Sequence, residues 1–328
     1  MKDSELKDIL SFYFEGECLI KRGSSGMNNL TRYIEYKGKQ YVLRVYQNHQ
    51  DLEVARMEHR ILKKLQHLNV PTPIESRSGE TIVELKGNLA TLFEYKEGEN
   101  LILERLSQYY DYGQRVGCLT EELSQIKEEG QSLPYYEWDQ SYLNHGGWEF
   151  CENVSEEFKE VKKELEVIRG ILDRLLAMKE EFKELPHQLI HGDINCSNLL
   201  MNKEGKITTI LDFEFVTYDL RVMEVAICLS ELLQELEEEA IEIGDGVIRF
   251  CEGYRSRVCL NEDEIGLLPW LILLRRLDVF LHFLVRYQKG IETENIDSVA
   301  FLKRQICSVA RQEGWLRHHQ AQLQDLFR

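Results

Sequence analysis

The sequence predicts an α+β protein in two lobes, a small β-rich one followed by a larger, mainly helical one. Three observations carry this reading. The chain has 328 residues, about twice the roughly 150 of a typical domain. Strand-like runs gather in residues 1–95, and from residue 102 onward apolar residues recur at helical steps. The expected divisions are therefore 1–95, a hinge or linker at 96–101, and 102–328.

Taken in order, MKDSELKDIL at the N-terminus mixes acids, bases and apolar residues without the apolar core of a secretion signal, so nothing in it directs export. Residues 33–46 read as two β-rich runs around the turn Lys37-Gly38-Lys39. A helix over 51–68 follows, with Val54, Ile61, Leu65 and Leu68 on one face and Pro71 and Pro73 closing it. Thr81 to Leu85 and Leu89 to Tyr95 form a second strand pair around Lys86-Gly87-Asn88, so the first third reads β-β-α-β-β. In the helical remainder, 156–184 keeps an amphipathic period through Phe158, Val161, Leu165, Ile168, Leu172, Leu175 and Phe182. One strand-turn-strand interrupts it, 199–201 and 207–211 around Asn202-Lys-Glu-Gly-Lys206.

Composition narrows the function classes. Hydrophobic residues at 43% and charged residues at 30%, with 5 Pro and 21 Gly, describe an ordinary globular chain and exclude collagen-like and low-complexity classes. A net charge of −17 opposes a broad electrostatic grip on nucleic acid or anionic membrane. The 8 cysteines are scattered, with no C-x-x-C pair and no zinc spacing, and read as reduced, mostly buried thiols. The longest apolar run, Leu267 to Leu274, stops far short of the ~20 residues that span a bilayer. The expected location is the cytoplasm, and the oligomeric state is left open.

The chemistry concentrates in one stretch. His191-Gly-Asp193 is followed by Ile-Asn-Cys-Ser-Asn198, then the hairpin, then Ile210-Leu-Asp212-Phe-Glu214. Phosphoryl transfer needs a carboxylate at the acceptor hydroxyl, metal ligands that bridge phosphates, and a cation on the phosphates that stay behind. Hard Mg²⁺ takes oxygen ligands, which Asp and Asn supply. Asp193 and Asn198 share one loop, and the hairpin between Asn198 and Asp212 is long enough to return the chain to it. In the competing reading this is an ordinary loop whose Asp and Asn cap turns; two motifs at this spacing weigh against it.

The pattern resembles the catalytic loop and metal Asp of kinases, with H-G-D-x-x-x-x-N for H-R-D-x-x-x-x-N and D-F-E for D-F-G. It is similar to the aminoglycoside phosphotransferase and choline kinase family, the small-molecule branch of the bilobal protein-kinase-like fold, and among these to homoserine kinase-like and spore-coat-associated members. The resemblance implies Asp193 as the catalytic base, His191 beside it mainly as a loop-fixing residue, and Asn198 and Asp212 as Mg²⁺ ligands, with ATP as phosphoryl donor. Arg44 lies where the family carries its phosphate-binding cation, a departure from the Lys of protein kinases. Glu58, on the apolar face of its helix, is the expected ion-pair partner of Arg44, ahead of its neighbour Glu53. Ser24, Ser25 and Gly26 occupy the place of the loop over the ATP phosphates, without forming a Walker A motif. Glu94 and Tyr95 resemble the hinge that takes the adenine edge, and Glu224 stands where the family usually has an Asp before an apolar-Ala pair.

The implied activity is an ATP-dependent, Mg²⁺-requiring kinase acting on a hydroxyl of a small metabolite such as an amino acid, amino alcohol or aminoglycoside. A protein kinase is disfavoured, because no A-P-E segment follows Glu214 and little room remains for an activation loop. The rival is a kinase-fold protein kept as a binding or structural module, as in spore-coat relatives. Candidates for an acceptor pocket are Tyr135 to Trp138, Asn144 to Trp148, and Arg275, Arg276 and Asp278, which the sequence does not rank.

Overall fold

A computed structural model describes residues 3–23, 29–47, 51–128, 137–239, 242–290 and 297–328, with the side chains of 235–239 outside the description. The chain forms two compact units, Met1–Leu101 with Cys196–Phe215, and Ile102–Asn195 with Val216–Arg328. The first opens with α1 (Asp3–Leu10), β1 (Leu19–Arg22), β2 (Asn29–Tyr36), β3 (Lys39–Tyr46), α2 (Leu52–Lys64), β4 (Val83–Leu85), β5 (Asn88–Glu94) and β6 (Glu99–Asn100). The second begins with α3 (Leu106–Ser124), α4 (Trp138–Asn144), α5 (Gly147–Glu152), α6 (Lys162–Ala177), α7 (Lys179–Lys183) and β7 (His187–Ile190). The chain returns to the first unit for β8 (Leu199–Met201) and β9 (Ile207–Ile210). It ends in the second with β10 (Thr217–Leu220), α8 (Met223–Glu239), α9 (Asp245–Arg255), α10 (Glu262–Gln288) and α11 (Ser298–Asp325).

In the first unit a five-stranded antiparallel sheet has the order β1-β2-β3-β5-β4. Both expected hairpins form. Lys37 and Gly38, at φ 49° and 76°, link β2 to β3, and Lys86 and Gly87, at φ 53° and 79°, link β4 to β5. Positive φ at both central residues matches the strands' own twist, which is why Gly occupies the second place in each. The sheet buries Ile34, Leu43, Val45, Val83, Ala90 and Leu92 against Leu6, Ile9 and Leu10 of α1. Helix α1 escapes the sequence reading because eight residues with three apolar positions show too little period.

Helix α2 starts where Asp51 caps it, accepting the backbone N–H of Glu53 and Val54. It ends earlier than expected, at Lys64. A 3-10 turn over Gln66–Leu68 and a left-handed Asn69 stop the chain before the prolines are reached.

The 199–210 hairpin is not isolated: β6 pairs with β8, Glu99 opposite Met201, so the sheet order is β6-β8-β9. Residues 196–215, which the sequence division placed in the helical lobe, group with the β-rich unit because of this pairing. Partners about a hundred positions apart leave no local trace in a sequence.

In the second unit the amphipathic stretch 156–184 splits into a 3-10 turn, α6 and α7, yet all seven of its expected core residues are buried. A pair of four-residue strands, β7 and β10, joins Ile190 to Thr217 and brackets the loop that bears Asp193. The run Leu267–Leu274 lies within α10, buried at nearly every position. Among the described residues no helix is long and apolar enough to cross a membrane. All eight cysteines are free, but only Cys151, Cys228 and Cys251 are buried and Cys259 is exposed, so the expectation of mostly buried thiols is corrected.

Candidate active site

In the β-rich unit one group of candidate residues gathers around Arg44. On β3, Arg44 donates through Nη1 to Glu58 Oε1 at 2.9 Å and through Nη2 to Asp212 Oδ1 at 2.9 Å. The expected pair with Glu58 therefore forms, and Glu53 turns instead to Arg56 at 2.7 Å. The Arg44 side chain is 14% exposed and that of Glu58 3%. Burial opposes the charge on Arg44, but Glu58 and Asp212 more than offset it and hold its pKa above the ordinary arginine value. Burial pushes the Glu58 carboxyl up to about 7, against the pull of Arg44.

Behind the pair, Tyr46 Oη donates to Glu58 Oε2 at 3.3 Å. His59, driven down to about 4 by burial and then by Arg44, is neutral and lies 2.7 Å from Thr81 Oγ1. The face of Phe93 lies 5.1 Å from the Arg44 guanidinium. A bidentate cation braced on so many sides cannot drift, which is what a phosphate clamp requires.

The hairpin brings the two candidate metal ligands together. Leu199 sits opposite Ile210 in the β8–β9 register, and the Leu211 backbone N–H donates to the Asn198 carbonyl at 2.8 Å. Asn198 and Asp212 are thereby held at adjacent ends of two paired strands. Asp212 itself adopts φ 64°, the left-handed region that Asp enters more readily than most non-glycine residues.

Next to it Glu214, the residue in place of the usual Gly, is buried and accepts a hydrogen bond from Asn29 Nδ2 at the start of β2. Sequence reasoning missed this contact. The D-F-E departure was its only signal.

The helical unit holds a second group of candidates. His191 is fully buried, and its Nδ1 accepts the backbone N–H of Asp193 at 3.3 Å, which makes it a positioning residue. Glu224, at the head of α8, accepts the His191 backbone N–H through Oε2 at 2.5 Å. Glu224 thus holds the backbone of the loop that bears Asp193. Burial pushes Glu224 up to about 7, opposed by the backbone N–H groups of His191 and Gly192. Asp193 itself, 22% exposed, accepts Arg275 Nη2 at Oδ1, 2.5 Å away.

Other candidates fall elsewhere. Arg276 points into the core, donating to Ser230 O at 2.5 Å and Gln234 Oε1 at 3.2 Å, so it is withdrawn from the acceptor candidates. Trp138 and Trp148 stack on each other at 5.4 Å with Tyr142 edge-on, which is packing. Glu94 ends β5 with its backbone N–H donated to Thr72 O at 2.9 Å and its carboxylate paired with Lys96. Tyr95 meets Tyr33 edge to face. Ser24, Ser25 and Gly26, with Tyr135 and Tyr136, lie outside the described residues.

A family model described as "Phosphotransferase enzyme family" matches residues 20–257. The chain belongs to the phosphotransferase enzyme family. Among the relatives of this phosphotransferase is a homoserine kinase of Agrobacterium fabrum, 28% identical over 300 residues, 89% of this chain and 87% of the relative. A homoserine kinase of Beijerinckia indica is 24% identical over 283 residues, 83% of this chain and 82% of the relative. A microcompartment-associated aminopropanol kinase superposes with a TM-score of 0.73 at 19% identity, over 98% of this chain and 100% of the other. An amicoumacin kinase solved with AMP-PNP, Ca²⁺ and its substrate superposes with a TM-score of 0.68 at 16% identity, over 94% of this chain and 93% of the other.

The phosphotransferase is a small-molecule kinase with the bilobal kinase-like fold, and a nucleotide and a divalent cation go with that assignment. The candidate residues Asn198 and Asp212 carry the oxygen donors such a cation takes. Among the described residues no group of three or more His, Cys, Asp or Glu side chains forms a metal cage. Asn198 and Asp212 supply two oxygen donors instead, the sparse set suited to a hard ion that keeps waters and takes its remaining ligands from substrate phosphates.

Proposed function

We propose that this phosphotransferase transfers the γ-phosphoryl group of ATP to a hydroxyl of a small acceptor, with Asn198 and Asp212 holding Mg²⁺. The observation that carries the reading is the meeting of Arg44, Glu58 and Asp212, 14 and 168 positions apart in the chain, in one ion-paired cluster. A structural ion pair needs two members. A third member, the partly exposed Asp212, is free to take a divalent cation, and that exchange would release one side of the Arg44 fork to the phosphates the cation brings.

Catalysis is then positioning and charge neutralisation. Asp193 orients the acceptor hydroxyl and takes its proton as the acceptor oxygen bonds to the γ-phosphorus. The bond from that phosphorus to the bridging oxygen breaks, and its electron pair leaves on ADP. Arg44 holds the phosphates that stay behind, fixed in turn by Glu58. His191 and Glu224 keep Asp193 in place through the loop backbone. Bound Mg²⁺ supplies neutralisation of phosphate charge. Glu94 and Tyr95 take the adenine edge.

The test is ADP release from Mg²⁺-ATP across hydroxyl-bearing amino acids, amino alcohols, sugars and aminoglycosides, with Asp193→Asn as control. Acceptor-dependent turnover that falls at least about 1,000-fold in that variant is expected. Nucleotide-dependent stabilisation without turnover on any acceptor would replace the kinase by a binding module.

A further inference from the structure

Helix α10 presents a second charged group to the catalytic loop. Arg275 donates through Nη2 to Asp193 Oδ1 at 2.5 Å and through Nη1 to Asp278 Oδ2 at 3.1 Å, so one planar guanidinium bridges two carboxylates. Arg275 and Asp278 lie one turn apart on one face of α10, with the exposed His282 a turn further on. The Arg275 side chain is 17% exposed and that of Asp278 47%. Both residues fall beyond the stretch 20–257 that the family model matches, so the family match assigns them no role.

An arginine sitting on the catalytic carboxylate has a cost for turnover: the acceptor hydroxyl must compete with it for that carboxylate. The competition is relieved if the acceptor carries an anion that takes the guanidinium for itself. A carboxylate does this well, because its two oxygens match the guanidinium fork. The exposed Asp278 beside it offers an acceptor oxygen for a neighbouring cation. A donor fork and a carboxylate oxygen 3.1 Å apart are complementary to a zwitterion whose carboxylate and ammonium sit on one carbon.

Resting on the kinase reading, we infer that Arg275 is the specificity-determining residue for the acceptor, and that the acceptor is a hydroxy-α-amino acid. Arg275 pairs with Asp193 and passes to the acceptor's carboxylate when the acceptor binds. Asp278 receives the ammonium group. Asp193 is then left to the side-chain hydroxyl. The binding is an exchange of ion pairs in which no charge is left unpartnered, so a neutral or purely cationic acceptor, which strands Arg275 on the base, is penalised.

Three acceptors of one length separate the contributions: homoserine, 3-aminopropan-1-ol, which lacks the carboxylate, and 4-hydroxybutyrate, which lacks the amine. Wild-type kcat/KM is expected to favour homoserine by at least about 100-fold over each of the other two. Arg275→Gln should bring the ratio of homoserine to aminopropanol down to within about threefold of unity, chiefly through KM for homoserine. Asp278→Asn should do the same to the ratio of homoserine to hydroxybutyrate.

Stabilisation of each variant by Mg²⁺-ATP in a thermal melt reports that the fold persists, and Arg275→Lys, which keeps the charge without the fork, should recover part of the first ratio. If Arg275→Gln lowers all three acceptors alike and leaves the ratios standing, Arg275 only braces Asp193 and the inference is overturned while the kinase reading survives. A wild-type preference for an acceptor without a carboxylate overturns it in the same way. Absence of turnover with any hydroxyl acceptor overturns both.

Discussion

Glu224 is a carboxyl group with no exposure, bound to the backbone of the loop that carries Asp193. Unfolded, it titrates at its ordinary 4.5; in the fold, burial pushes it up to about 7. Between those values the folded state holds a proton that the unfolded state has lost. The stability this contributes is fully present below about 4.5 and is lost as pH rises through about 7, a swing of about 3 kcal/mol at most. Glu224→Gln keeps an oxygen for the His191 N–H and cannot titrate. The urea midpoint of the wild type should therefore fall relative to that variant from pH 4.5 to 7 and run parallel to it above; a constant difference across the range would sink the idea.

The residues of this site were unequally legible. Asp193, Asn198 and Asp212 announce themselves because their spacing is set by one loop and one hairpin. Arg44 and Glu58 could be paired in advance because a carboxylate on an apolar helix face needs a cation. That Asp212 also binds Arg44, that Asn29 binds Glu214, and that Arg275 binds Asp193 depend on contacts across 168, 185 and 82 positions, which no local pattern encodes.

At the scale of elements, α3 and α9 pack backbone to backbone. A Cβ on Gly113 would lie 1.9 Å from the Phe250 carbonyl oxygen, and one on Gly253 would lie 2.1 Å from that of Tyr110. The obstacle in each case is main chain, which cannot rotate aside. Gly113→Ala should therefore force the helices apart and cost about 2–3 kcal/mol in urea denaturation. Gly170, exposed in α6 with nothing within 4 Å of the same position, is the counter-case. Gly170→Ala should stabilise by about 0.5–1 kcal/mol, through helix propensity alone. Opposite signs for one chemical change distinguish close packing from propensity, and equal effects would refute the assignment. The long elements were visible in the sequence because period and turn chemistry are local. The short strands β6, β7 and β10 were not, since two to four residues have no period and owe their conformation to a distant partner.

At the scale of the whole molecule each of the two units carries its own group of candidate residues. Arg44, Glu58, Asn198, Asp212 and the candidate adenine-edge residues Glu94 and Tyr95 belong to one, and Asp193, His191, Glu224 and Arg275 to the other. Binding of nucleotide and chemistry on the acceptor should therefore separate by mutation. Saturating Mg²⁺-ATP is expected to raise the melting temperature of the wild type and of Asp193→Asn by about 5 °C, and that of Asp212→Asn by less than about 1 °C. Loss of the shift in Asp193→Asn, or its retention in Asp212→Asn, would reverse the roles assigned to the two carboxylates. What the sequence determined by itself is whatever neighbours along the chain dictate: the strand turns at Lys37-Gly38 and Lys86-Gly87, the amphipathic face of 156–184, and the loop that spaces Asp193 from Asn198. Only the tertiary structure decided that 196–215 packs with the β-rich unit, that Arg276 is a core residue while its neighbour Arg275 reaches Asp193, and that Glu224 binds the backbone of the loop that bears Asp193. Those outcomes turn on which distant backbone pairs with which, and on about 100° of rotation between successive residues of one helix.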